Sequence, residues 1–232
     1  IIVKGSGKRG KTVRPQPKIG KNGICKDRNM IRFNNDYNRG AHPEVLDALI
    51  KTNEESYGGY GLDIWCERAA DEIGKYLGQA DADIHFLTGG TQANFTVIAA
   101  ALRPYQCVIS ADTGHIQGHE TGAVENTGHK IIALPSYEGK ITADQVREQA
   151  QLYLESGIRE HITQPKMVYI SFPTEYGTIY SKAELEALSG VCREYGLFLF
   201  LDGARLGYGL GSEEADVTME DIARLTDVFY CG

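Results

Sequence analysis

Short apolar runs and amphipathic helical stretches take turns along this chain, and that alternation restricts the fold more than any other feature. IHFLT (84–88), CVISA (107–111), KIIALP (130–135), KMVYIS (166–171), LFLFLD (197–202) and DVFYCG (227–232) read as strands. The spacing between them predicts helices at about 91–102, over TADQVREQAQLYL and over SKAELEALSGVCREYG, the last opening with Ser181 and Glu184 at capping-box spacing. Two helices come earlier: HPEVLDALIKTNEE with Pro43 at its start, and DIWCERAADEIGKYLG with Asp63 as cap and Gly78 as stop. Strands separated by helices imply crossover connections, so the expected class is α/β with a mainly parallel sheet flanked by helices. In such sheets ligands collect beyond the carboxyl ends of the strands.

Composition narrows the setting. The 232 residues are 42% apolar and 24% charged, the balance of a globular protein. No apolar run approaches the roughly 20 residues needed to span a bilayer, and no secretory signal opens the chain, so a cytoplasmic protein without membrane contact is expected. Five scattered cysteines without a CxxC pair argue for reduced thiols and against a zinc site. The formal charge of −7 hides a basic stretch: residues 1–29 hold nine Lys or Arg against the single acid Asp27. That stretch contains no aromatic to stack a base, so no nucleic-acid partner is expected. Met30 then opens MIRFNNDYNRGAHPEVL like a natural start. Residues 1–29 are therefore read as a non-native or disordered extension, 30–62 as an N-terminal arm and helix, and 63–232 as the main domain.

Three places combine a strand end with polar chemistry. In FLTGGTQANF a strand runs into Gly89, Gly90 and Thr91 as a helix begins, and glycine amides with a helix N-terminus suit a phosphate; a plain turn needing glycine is the bland alternative. GxGxxG and GK[ST] loops are both missing, which lowers dinucleotide and ATP readings. In ADTGHIQGHETGAVE, His115 and His119 lie four apart. A metal pair there lacks the usual companions, whereas His115, first after the turn, can lie flat on a planar ligand or make an ordinary interhelix hydrogen bond. In LFLFLDGARLGYG a buried strand ends at Asp202 with Arg205 three residues on. A buried carboxylate needs a cationic partner. That partner is either Arg205, as a structural ion pair, or a protonated ring nitrogen, with Arg205 left for a substrate carboxylate. A phosphate, a flat ring and a ring nitrogen seeking a negative partner together describe pyridoxal 5'-phosphate (PLP).

These stretches resemble the low-specificity threonine aldolases and their beta-eliminating lyase relatives. The similarity runs from about Ile31 to Gly232 and is carried by FNNDYNRGAHPEV, YGLD, GGTQAN, DTGHI, HETGA, PTEYGT, LDGARLG and TDVFYCG. It implies the large domain of PLP-dependent transferase fold type I. It also implies that Gly89, Gly90 and Thr91 hold the phosphate, that His115 stacks on the ring and that Asp202 meets the pyridine nitrogen. Arg205 would bind the substrate carboxylate or the cofactor's ring oxygen, Thr174 would add a cofactor contact, and Asn35 and Tyr60 would line the substrate side. In many of these aldolases a histidine follows the threonine matched by Thr174. Here Glu175 stands in its place, and it can serve as a base where burial raises its pKa.

The family's Schiff-base lysine lies just past the strand matched by DVFYCG, whereas the last lysine here is Lys182. Lys130, Lys140 and Lys166, at strand starts or in a turn, are expected at the wrong end of the sheet. The small C-terminal domain is missing by the same comparison, and the expectation is a fragment of a longer protein. The resemblance implies cleavage of a β-hydroxy-α-amino acid such as L-threonine to glycine and an aldehyde, in a homodimer or homotetramer. β-Elimination or transamination with the same residues is the nearest rival. A non-catalytic binding or oligomerising module is the rival from another class.

Overall fold

Side chains alternate across a strand, so a parallel sheet covered on both faces needs apolar residues at nearly every position. The computed structural model, which describes residues 35–37, 39–79 and 82–232, shows where those runs go; the basic stretch 1–29 lies outside these residues. Chain contacts divide the protein into two units, 1–56 and 57–232. In the first, α1 (Pro43–Thr52) starts with Pro43 behind a His42 cap.

The second unit opens with α2 (Ile64–Leu77), where Asp63 accepts from the amides of Trp65 and Cys66, and Gly78 stops the helix with a left-handed φ of 64°. After α3 (Gly90–Ala101) come β1 (Gln106–Ala111), α4 (His115–Gly118) and β2 (Lys130–Leu134). Then follow α5 (Ala143–Glu155), β3 (Gln164–Ser171), α6 (Lys182–Tyr195), β4 (Phe198–Asp202), α7 (Leu206–Leu210), α8 (Met219–Leu225) and β5 (Val228–Phe229). The strands form one parallel sheet in the order β2-β1-β3-β4-β5. Alternate residues serve opposite faces. Ile109, Val168, Ile170, Leu199 and Leu201 pack with side chains of α5, α6 and α8, while Val108, Met167, Tyr169 and Phe200 pack with Ile98 and Leu102 on the α3 side. The central strands β1, β3 and β4 are thus buried on both faces, as expected. From β1 the chain goes out to β2 on one side and returns to β3 on the other, so a crevice opens at the carboxyl ends between β1 and β3.

One strand expectation fails. Residues 82–89 form no strand, and Phe86 and Leu87 stay about half exposed. An apolar run becomes a strand only with a ladder partner, and IHFLT is paired with none of the five. Helix starts fared better. Ser181 accepts from the Glu184 amide while Glu184 accepts from the Ser181 amide, completing the capping box of α6. Ser181→Ala is expected to lower the unfolding free energy by about 1 kcal/mol, read as a lower urea midpoint at unchanged m-value. Cys66, Cys107, Cys192 and Cys231 are free, and burial pushes the Cys192 thiol up to about 12. Among the described residues no helix is long and apolar enough to cross a membrane.

Candidate active site

The polar groups gather at the carboxyl ends of the strands. At the start of α3, Gly89 caps the helix without a side-chain hydrogen bond, so the first-turn amides are left for another acceptor. Thr88 is tied back by its amide and hydroxyl to Gln92 Oε1, at 3.0 and 2.7 Å. Gly90 is required for close approach: a Cβ there would stand 2.7 Å from the Tyr230 hydroxyl.

That hydroxyl leads to Asp202. Parallel pairing of β3 with β4 sets Asp202 opposite Ser171 at the sheet's end, and the side chain is buried. Its Oδ1 accepts from Tyr230 Oη at 2.6 Å and from the Ala204 amide at 3.0 Å. Its Oδ2 accepts from Asn94 Nδ2 at 3.1 Å and from Tyr169 Oη. Burial first, then the neighbouring Asp202 charge, holds both phenols far above their ordinary pKa, so each keeps its proton to donate to the carboxylate. All four of these donors are neutral.

Asn94 connects Asp202 to a second acid. Its amide nitrogen also donates to Glu120 Oε1 at 2.7 Å, and the same oxygen bonds His115 Nδ1 at 2.8 Å. His115 opens α4 just after β1, and its side chain is 39% exposed while that of Glu120 is wholly buried. The Glu120 hydrogen bond is the main reason the imidazole pKa is raised; burial opposes it, and the charges of Glu120, Asp202 and Glu175 add to the rise. Asn94 Oδ1 and Glu120 Oε2 are buried with no hydrogen-bond partner among the described residues. Each such orphan costs about 1–3 kcal/mol. His119 lies near, its ring 5.6 Å from that of His115. Among the described residues no cluster of three or more His, Cys, Asp or Glu side chains is placed to hold a metal.

Thr174 and Glu175 lie just past the carboxyl end of β3, and Arg205 just past that of β4. Glu175 is half-buried after β3 and accepts from Ser171 Oγ at 2.6 Å. Thr174 is buried and its hydroxyl meets that of Thr178 at 2.7 Å, pinning the turn between them. Arg205 is half-buried at the start of α7, three residues past Asp202. Thr91 is exposed in the first turn of α3, and Tyr60 is fully exposed with a positive φ of 66°. Asn35 belongs to the other unit, where its side chain accepts from the Tyr37 amide.

A family model described as beta-eliminating lyase matches residues 40–232. The chain belongs to the beta-eliminating lyase family. Within that family it is 35% identical over 192 residues to a low specificity L-threonine aldolase of Pseudomonas sp., covering 81% of this chain and 54% of that one. The threonine aldolase of Leishmania major superposes with a TM-score of 0.81 at 48% identity, over 85% of this chain and 57% of that one. An archaeal alanine:glyoxylate aminotransferase shares the fold at TM-score 0.62 and 19% identity, over 80% of this chain and 45% of that one. The chain therefore spans about half the length of the relatives it matches, and its α/β fold is the fold type I large domain that the resemblance implied.

In this member of the family, sequence reasoning reached Gly90, His115 and Asp202 but missed Asn94, Glu120, Tyr169 and Tyr230. Signals existed. Asn94 lies one helical turn beyond Gly90, and a tyrosine inside the apolar run VYI needs a partner for its hydroxyl once buried. Nothing local says that Glu120 turns back to His115. Among the lysines, Lys130 and Lys166 lie near the amino ends of β2 and β3, and Lys166 is bound to the Gly196 carbonyl. Lys140 departs from expectation: it follows the carboxyl end of β2, where Glu184 holds its ammonium at 2.7 and 2.9 Å.

Proposed function

We propose that this protein is a PLP-dependent carbon–carbon lyase of the threonine-aldolase type, which releases glycine and an aldehyde from a β-hydroxy-α-amino acid. One observation carries the reading: Gly90, Asp202 and His115 are joined through Tyr230, Asn94 and Glu120 into a single constellation at the carboxyl ends of the strands. The family and the threonine aldolase relatives support it.

The residues present fit PLP. A buried carboxylate whose four hydrogen-bond donors are all neutral suits the positive charge of a protonated ring nitrogen. The uncapped start of α3 with Gly89, Gly90 and Thr91 suits a phosphate. When bound, PLP supplies a conjugated electron sink for the substrate α-carbon. Asp202 would then hold a proton on the ring nitrogen, and His115, its Nδ1 tied to Glu120, would stack on the ring. Arg205 suits the substrate carboxylate with its planar fork, and Thr174 flanks the cofactor. Glu175, steadied by Ser171, takes the proton from the substrate β-hydroxyl. Asn35 and Tyr60 belong to the substrate side.

The Asp202 carboxylate already accepts four hydrogen bonds, about its full capacity. A ring N–H therefore enters by displacing a donor, and Tyr230 is less buried than Asn94 or Tyr169. Tyr230→Phe is expected to tighten PLP binding about fivefold or more, as one competing hydrogen bond is worth about 1 kcal/mol or more, measured by fluorescence titration. Weaker binding would show that the phenol supports the cofactor instead.

The activity is tested on the protein as its gene encodes it, including any sequence after Gly232, with added PLP and a panel of β-hydroxy-α-amino acids. Glycine and aldehyde are expected. Keto acid and ammonia would favour elimination or transamination, and absence of any PLP spectrum would favour a non-catalytic module. A cytoplasmic homodimer or homotetramer is part of the same proposal. Exposed Ile64, Trp65, Ile73 and Tyr76 on α2 support association through an apolar face.

A further inference from the structure

We infer that Glu120 is a positioning residue: it fixes the orientation, tautomer and charge of the His115 imidazole, and Asn94 braces it against Asp202. The inference starts from burial. Glu120 has no exposed side-chain surface, yet it is neither buried in an ion pair with Lys or Arg nor placed in a metal cluster among the described residues. Its Oε1 instead receives two hydrogen bonds, from Asn94 Nδ2 at 2.7 Å and at His115 Nδ1 at 2.8 Å.

Asn94 is itself wholly buried, and its NH₂ group reaches two carboxylates, Glu120 and Asp202. An amide with two acceptors on its nitrogen has only one sensible orientation, NH₂ towards the acids. The result is a row of three hydrogen bonds, Asp202 to Asn94 to Glu120 to His115, drawn from β4, α3 and the segment after α4. Among the described residues two buried acceptors go unpaired to keep it, Asn94 Oδ1 and Glu120 Oε2. A core packed only for stability would avoid that.

The consequence concerns both ring nitrogens. In the neutral imidazole, Nδ1 must carry the hydrogen to donate to Glu120, so Nε2 carries the lone pair. In the cation, the same carboxylate stabilises the charge. Groups facing His115 besides Glu120 are His119 just past α4, Asp202 at the end of β4 and Glu175 after β3. Among the described residues, Glu120 is the one that bonds it directly. Relevance to catalysis rests on the PLP reading, whereas the bond between Glu120 and His115 does not.

The test is a nitrogen-resolved NMR titration of the imidazoles without cofactor, with His115 assigned by its loss in His115→Gln. His115 is expected in the Nδ1–H tautomer when neutral, and Glu120→Gln should lower its protonation constant at least tenfold. An Nε2–H tautomer in the unsubstituted protein, which needs no variant to fold, would overturn the inference. So would a protonation constant unchanged in a folded Glu120→Gln protein. Failure to bind PLP would sink the cofactor reading and leave these two outcomes intact, so the failures are distinguishable.

Discussion

Asp202→Asn is expected to cut PLP-dependent turnover by about 10²- to 10³-fold, the usual loss when a preorganised group facing developing charge is removed. The substitution preserves shape and removes the negative charge. A neutral amide no longer favours a proton on the ring nitrogen, so the electron sink weakens. It also inverts one hydrogen-bonding site. Tyr230 Oη and the Ala204 amide donate to Oδ1, while Tyr169 Oη and Asn94 Nδ2 donate to Oδ2. Whichever position receives the new NH₂ group meets two former donors. A phenol can rotate its hydrogen away, but an amide cannot, so at least one buried donor loses its acceptor at about 1–3 kcal/mol. Two measurements therefore move together, turnover with saturating PLP and the urea midpoint of the cofactor-free protein. Turnover close to that of the unsubstituted enzyme would remove Asp202 from the proposed mechanism.

Gly203→Ala is expected to destabilise the fold by about 3 kcal/mol, the upper end of overpacking costs. The glycine follows Asp202 directly, and β5 crosses so closely that a Cβ would be driven into the Tyr230 carbonyl, with Leu206 Cβ at 3.0 Å on the other side. A main-chain carbonyl cannot rotate away as a long side chain does. The Gly203 carbonyl also accepts from the Gly232 amide at 3.0 Å, so moving this segment strains a second strand-end contact. Calorimetry should show a fall in Tm of roughly 6–12 °C, at ~2–4 °C per kcal/mol for a domain of this size. Gly207→Ala is the control: open space surrounds its missing Cβ, and little change is expected. Equal losses at both positions would mean that a general glycine-to-alanine effect, and not the close approach of the chain after β5, explains the result.

Legibility followed the range of the interaction. Capping signals at Asp63, Gly78 and Ser181 are local, and the structure uses each of them. The apolar runs in β1, β3 and β4 are long enough to imply burial on both faces. IHFLT has a comparable pattern and forms no strand, because pairing depends on a neighbour that the pattern cannot display. For the site, strand ends followed by glycine, histidine or aspartate pointed to Gly90, His115 and Asp202 with no knowledge of strand order. Arg205 is the cation nearest to Asp202 in sequence, whereas the side chains that donate to that carboxylate from positions 94, 169 and 230 lie far from it along the chain.

By itself the sequence determined the class of fold, a parallel sheet between helices, and the end of the sheet where chemistry belongs. Periodicity and capping act over a few residues, and the sequence writes them out directly. Only the tertiary structure decided which buried groups meet. Asn94 lies 108 residues from Asp202 and 26 from Glu120, yet one amide bonds both acids, because the strand order brings α3, the end of β4 and the segment after α4 to the same place. Hydrogen bonds in a core depend on distances of about 3 Å, and contacts that short between remote residues exist only once the sheet has assembled.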